Sequence, residues 1–232
     1  SLCVAEVTMA RNLVEKHINS LMYGRMSMMN GATNGTIGYI PIMNDMLKLD
    51  QYFSTPIGKL HEPYLANSLK PIAREIVNDT SNQTNIWGYN CTYGTPIELN
   101  ENLEYFNNWA LSKGKEFFDM LGYDTNLIDF KLEVFISEMF DNDYHPIHTH
   151  PNSKVSGILY LDTPPGSSMI RFHDPRPFRD FVSFPKKSNT DREHIELDAA
   201  QGWCYLWPAW LQHEVLHNQS GNAGRLAIVF NM

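Results

Sequence analysis

The stretch HPIHTHPNSKVSGILYLDTP, residues 145–164, places His145, His148 and His150 within six residues and then runs into VSGILYLD, residues 155–162. That apolar run, bounded by Pro, Asn and Ser before it and by Pro after it, reads as a β-strand. Runs of the same kind surround it: FKLEVFISEMF (130–140), SMIRFH (168–173), DFVSFP (180–185), EHIEL (193–197), WCYLW (203–207), QHEVLHN (212–218) and RLAIVFN (225–231). In the first of these, Leu132, Val134 and Ile136 alternate with Glu133, Phe135 and Ser137, the period-two pattern of a half-buried strand. Eight short strand candidates in about 100 residues, separated by Pro, Gly, Asn and Asp, predict an antiparallel sandwich or jelly roll.

The texture before residue 129 is different. Val14, Ile18 and Leu21 recur on one helical face, as do Leu65, Leu69, Ile72 and Ile76, and then Leu103, Phe106, Ala110, Phe117 and Leu121. Pro71 either kinks the second of these helices or marks its start. Between them lie NGATNGTIGYIP (30–41) and an aromatic segment, NIWGYNCTYG (85–94), that reads as one or two strands. The expected organisation is a mostly helical region, 1–128, packed on a β-rich core, 129–232. The fold class is α+β and mainly β.

Composition narrows the function. With 18 Lys+Arg against 26 Asp+Glu the formal charge is -8, and the longest basic run is Lys186-Lys187, so electrostatic capture of nucleic acid or of an anionic membrane is not expected. Cys3, Cys91 and Cys204 are odd in number and scattered, which fits a reducing, cytoplasmic setting better than a disulfide framework. The apolar runs are too short and interrupted to read as a membrane-spanning helix or a secretory signal.

Side chains two apart on a strand share a face, so His148 and His150 can converge on one metal ion, with His213, 63 residues further on, reaching it from another strand. Such a set leaves one side of an octahedral metal open, as iron-dependent oxygen chemistry requires. Arg225 follows His213 by 12 residues and shares a face with Ala227 and Val229, an apolar face expected to turn inward. A buried guanidinium must meet an anion, either a protein carboxylate such as Glu133 or Glu138 or a bound organic acid. Blander roles suit other residues. His17, His61 and His194 read as surface or hydrogen-bonded histidines, and His145, His173 and His217 as rim or supporting ones. Trp203, Tyr205, Trp207 and Trp210 read as core filling, Cys204 as inert packing, and Asp174-Pro175-Arg176 as a turn held by its own ion pair.

HTHPNSKVSGILYLD, IRFHDPR, WPAWLQHEV and RLAIVFN together resemble the Fe(II)- and 2-oxoglutarate-dependent oxygenases, most closely a 2-oxoglutarate–iron oxygenase family of marine bacteria and phages. The resemblance covers about residues 130–232 and implies a double-stranded β-helix buttressed by the preceding helices. It also implies Fe(II) and 2-oxoglutarate as cofactors, with hydroxylation of a small molecule or peptide and release of succinate and CO2. On it, His148 is the proximal and His213 the distal metal ligand, and Arg225 and Tyr160 hold the far carboxylate of 2-oxoglutarate; no catalytic residue is expected beyond the metal centre. The departure is His150, which stands where the superfamily has Asp or Glu and is taken as the third ligand. Two rivals remain. A cupin-like three-His enzyme fits the spacing of Gly202, Pro208 and His213, although Lys154 stands where its first motif needs Glu, and a non-catalytic ligand-binding jelly roll fits the same strands.

Overall fold

The strand RLAIVFN is apolar at successive positions, so it needs cover on both faces, and it has it: all of Arg225–Asn231 is buried. In this computed structural model, residues 53–84, 87–176 and 193–232 are described, all within one compact unit, Phe53–Met232. The elements in chain order are β1 (Gly58–His61), α1 (Pro63–Asn78), β2 (Asn90–Cys91), α2 (Glu104–Met120), β3 (Glu133–Met139), β4 (His145–His148), β5 (Val155–Asp162), β6 (Ile170–His173), β7 (His194–Leu197), β8 (Trp203–Pro208), β9 (His213–Val215) and β10 (Arg225–Asn231). They form two antiparallel sheets, one ordered β1-β8-β5-β10-β3-β2 and the other β4-β9-β6-β7.

Alternation along the strands sorts the side chains into two cores. Val134, Ile136, Leu159, Leu161, Leu206, Ile228 and Phe230 face α1 and α2, whereas Phe135, Ile158, Tyr205, Trp207 and Val229 face the four-stranded sheet and its Ile170, Phe172 and Val215. The large sheet is thus the middle of three layers. This corrects the half-buried expectation for β3: from Val134 to Met139 every residue is buried, because Leu132, Val134 and Ile136 meet helices while Phe135 and Met139 meet the second sheet.

The helices follow their predicted faces. Leu65, Leu69 and Ile76 of α1 are buried, and so are Phe106, Ala110 and Phe117 of α2. Full burial of a side chain the size of Phe106 is worth about 2–3 kcal/mol, and its ring meets Phe230 with centroids 5.9 Å apart. Pro71 neither starts nor ends α1; the helix begins at Pro63, where a missing N–H costs nothing, and runs through it. Lys70 and Arg74 tie the helix to Asp162 at 2.8 and 2.6 Å. The helical face at Val14, Ile18 and Leu21, the segment 30–41 and the strand predicted at 180–185 lie outside the described residues. Each of the other predicted strands has a counterpart, although QHEVLHN contracts to the three residues of β9. Among the described residues no helix is long and apolar enough to cross a membrane.

Candidate metal and ligand centre

A cavity of about 190 Å³ opens between the two sheets. His148 and His213 reach it from β4 and β9, where they are register partners. His150 lies beyond the end of β4, held by its own N–H donating to the Ala209 carbonyl at 3.0 Å. The HxH pair spans the end of the strand: His150 lies two residues beyond β4 and opens the turn at 150–153, in which the Ser153 N–H donates to the His150 carbonyl at 3.3 Å and Asn152 has φ 71°. The convergence is nevertheless achieved: one ring nitrogen from each of His148, His150 and His213 lies within 4.8 Å of the others.

The orientation of these rings suits a cation. His148 Nδ1–H donates to the Pro146 carbonyl and His213 Nδ1–H to the Leu211 carbonyl, both at 2.8 Å. Each of those two rings therefore presents an unprotonated Nε2, and His213 Nε2 stands 3.2 Å from His150 Nε2. Burial is the first cause holding all three rings neutral: the pKa of His213 is pushed down to about 2, with the neighbouring His148 adding to the effect, that of His150 to about 4, and that of His148 below its ordinary value. Neutral imidazoles with lone pairs turned toward one point are the donor set of a metal centre. Phe172 and Trp207 pack on His213 at 5.8 and 4.8 Å and keep that side dry.

Arg225 lines the same cavity and is fully buried. Its Nη1 meets the Met139 Sδ at 3.2 Å, while Nε and Nη2 have no hydrogen-bond partner among the described residues. The protein-carboxylate alternative fails for both candidates. Glu138 points to the other face of β3 and faces Arg74 at 3.7 Å, and Glu133, at the far end of the strand, accepts from Asn231 Nδ2 at 2.9 Å. Tyr160 lies behind the guanidinium, whose central carbon is 4.8 Å from the ring centroid, and is not among the residues lining the cavity. Guanidinium nitrogens without partners, in the cavity that holds a three-histidine cluster, fit a dicarboxylate that reaches from metal to guanidinium.

The aromatic segment at 85–94 supplies what sequence reading missed. Trp87, Tyr89 and Tyr93 line the cavity, and the Tyr89 hydroxyl is hydrogen-bonded to His145 Nδ1 at 2.6 Å. His145 is buried, its pKa driven down to about 3 by burial and by the nearby His148 and His150, and its ring is 4.0 Å from that of His148. The one available signal was the density of aromatics in NIWGYNCTYG. Elsewhere, His61 stacks on Trp203 at 4.8 Å, His173 meets Glu214 at 3.2 Å, and Asp174 pairs with Arg176 inside its turn. His194 meets Glu196 at 3.8 Å, and His217 lies against the Asn142 carbonyl. Tyr205 and Trp207 fill the inter-sheet core, Trp210 is exposed, and Cys91 and Cys204 are free and buried.

Comparison with known proteins points the same way. The family model described as "Putative 2OG-Fe(II) oxygenase" matches residues 133–231. A prolyl-4-hydroxylase from Pseudomonas putida is similar in structure, with a TM-score of 0.51 at 14% identity over 77% of this chain and 88% of that one. So is a prolyl hydroxylase from Trichoplax adhaerens, solved in complex with a hypoxia inducible factor oxygen degradation domain peptide fragment, with a TM-score of 0.52 at 11% identity over 77% and 83%. At such identities the likeness is one of fold. No curated protein matches the chain by sequence. The matched family consists of oxidoreductases whose cofactors are Fe(II) and 2-oxoglutarate, and the residues of this cavity fit both.

Proposed function

We propose that the protein is a non-haem Fe(II)- and 2-oxoglutarate-dependent dioxygenase that hydroxylates its substrate and releases succinate and CO2. The observation that carries this reading is Arg225, a fully buried guanidinium with two unpartnered N–H groups in the cavity where three neutral histidines meet. The two sheets then correspond to a double-stranded β-helix, with α1 and α2 as its buttress.

His148, His150 and His213 would hold the iron, and Arg225, backed by the Tyr160 hydroxyl, would hold the far carboxylate of 2-oxoglutarate. When bound, the pair would activate O2, one oxygen atom going into succinate as the oxo acid loses CO2 and the other replacing a C–H bond of the substrate by C–OH. The chain's own contributions are positional. Carbonyls of Pro146 and Leu211 fix the ring orientations of His148 and His213. Phe172 and Trp207 exclude water beside His213. With His150 in place of a carboxylate the ligand set is neutral, which leaves the centre one unit more positive and strengthens its pull on an anionic oxo acid.

Anaerobic titration of the Fe(II)-loaded protein with 2-oxoglutarate tests the reading. A saturable, weak visible charge-transfer band is expected. Bound iron with no such band would overturn it in favour of a three-His site that uses no 2-oxo acid.

A further inference from the structure

At the end of the cavity remote from Arg225, one residue from each of four neighbouring strands forms a row. Trp207 on β8 stands opposite Ser156 on β5, Ser156 opposite Asn231 on β10, and Asn231 opposite Glu133 on β3. The row lies on the sheet face that carries Tyr205, Ile158, Val229 and Phe135 into the inter-sheet core, and Trp207, Asn231 and Glu133 line the histidine cavity. Among the described residues, three of its buried polar atoms, Trp207 Nε1, Ser156 Oγ and Asn231 Oδ1, have no hydrogen-bond partner, and two of them, Trp207 Nε1 and Asn231 Oδ1, belong to residues that line the cavity. Buried polar atoms are nearly always paired, so these two orphans mark a place where a ligand completes the bonding.

The chemistry of that ligand follows from the row. Asn231 Nδ2 is spent on Glu133 Oε2 at 2.9 Å, which leaves Asn231 Oδ1 and the second Glu133 oxygen as acceptors. Rings stand beside them: Tyr93 is 4.8 Å from Trp87 and 5.3 Å from Phe135, and all three line the cavity. Aromatic faces beside a carboxylate attract a cation and repel an anion. Arg225 and Asn231 are six residues apart on one strand, about 20 Å at the usual rise, so a small oxo acid held at the guanidinium does not reach Asn231 or Glu133, although Trp207, at the other end of the row, packs on His213. Between the two poles the floor is apolar, formed by Ala227, Val229 and Ile158.

We propose that this row is the substrate's recognition pole and that the substrate carries an ammonium group, held by Glu133 and Asn231 Oδ1 with its carbon chain over Val229 and Ile158. Trp207 Nε1 then donates to an oxygen neighbouring that nitrogen. The inference rests on the dioxygenase reading for its word substrate, but the pole itself does not.

The test uses protein loaded with Zn(II), a diamagnetic stand-in for iron, and 2-oxoglutarate. Binding of n-butylammonium, butyramide, n-butanol and butyrate, four-carbon chains that differ in their head groups, is followed by ligand-observed NMR. Butylammonium is expected to bind about tenfold or more tightly than butanol and butyrate, and E133Q to remove that preference. Glu133 is exposed at the rim, so the variant is expected to fold, which its retention of 2-oxoglutarate checks. Butanol or butyrate binding as well as butylammonium, or E133Q binding the amine undiminished, overturns the proposal. Titration of 2-oxoglutarate alone separates the two failures. If the oxo acid binds and the amine preference is absent, only this proposal falls; if the oxo acid does not bind and the preference persists, the ammonium pole stands and the dioxygenase reading falls.

Discussion

Arg225 and Met139 face each other across the β10–β3 ladder, and among the described residues the buried guanidinium donates to the Met139 thioether, Nη1 to Sδ at 3.2 Å, and meets no carboxylate. Sulfur is a weak acceptor and carries no charge, so the guanidinium is destabilising until an anion arrives. Arg225→Met should therefore raise the Tm of the ligand-free protein while weakening 2-oxoglutarate binding by about tenfold or more, with iron content unchanged. Thermal scans with and without the oxo acid check both halves; a variant that melts lower without ligand would show that the guanidinium is already satisfied.

Removing any one of His148, His150 and His213 leaves two ring nitrogens where three converge. Each of the three alanine variants is expected to lose its iron on dialysis, measured by elemental analysis, whereas His61→Ala, on the Trp203 ring, keeps it. His150→Asp is expected to retain iron, because a carboxylate is an equally competent ligand at that distance. Full iron in His150→Ala would reduce the set to two.

Acid should weaken the metal-free protein. The folded-state pKa values of His150, His145 and His213 lie near 4, 3 and 2, below the ordinary 6.5 of an unfolded histidine. Between those values the unfolded chain binds protons that the folded one does not, so stability is complete above pH 6.5 and falls as pH drops below it. Each group contributes at most about 1.4 kcal/mol per pH unit. Urea midpoints from pH 7.5 to 5 check the slope, and His145→Gln should flatten it.

Gly157 sits where β5 passes under Phe230, and a Cβ there would run into that ring. Phe230 cannot yield easily, since Phe106 and Trp109 of α2 pack on it at 5.9 and 6.2 Å. Gly157→Ala is expected to cost about 1–3 kcal/mol, read from urea denaturation, while the histidine site still binds metal.

The long apolar strands were legible because both of their faces are buried: β5 and β10 run over the residues expected, Val155–Asp162 and Arg225–Asn231. Short elements were not. β1, GKLH, alternates between exposed and half-buried residues and owes its place to pairing with β8, a long-range contact with no local signature. β4, HPIH, contains a proline, which argues against a strand, yet it carries His148. Alternation along RLAIVFN placed Arg225 correctly on the inward face, but only register could show that Asn231 stands opposite Glu133 and Arg225 opposite Met139. Likewise the spacing made His150 legible as a partner of His148, but its place two residues past β4 and its anchorage to the Ala209 carbonyl were not.

His148 and His213 belong to the four-stranded sheet, whereas His150 is fastened through its N–H to Ala209, just past the end of β8 in the six-stranded one. An ion gripped by all three acts as a rivet between the two halves of the sandwich. Losing it would be a mechanical event as well as a chemical one: the small sheet, whose β9 spans only three residues, would be free to peel from the large one. Amide hydrogen exchange should then quicken in β4 and β9 on metal removal while β5 and β10 stay protected, making iron supply a control on how long the folded protein lasts.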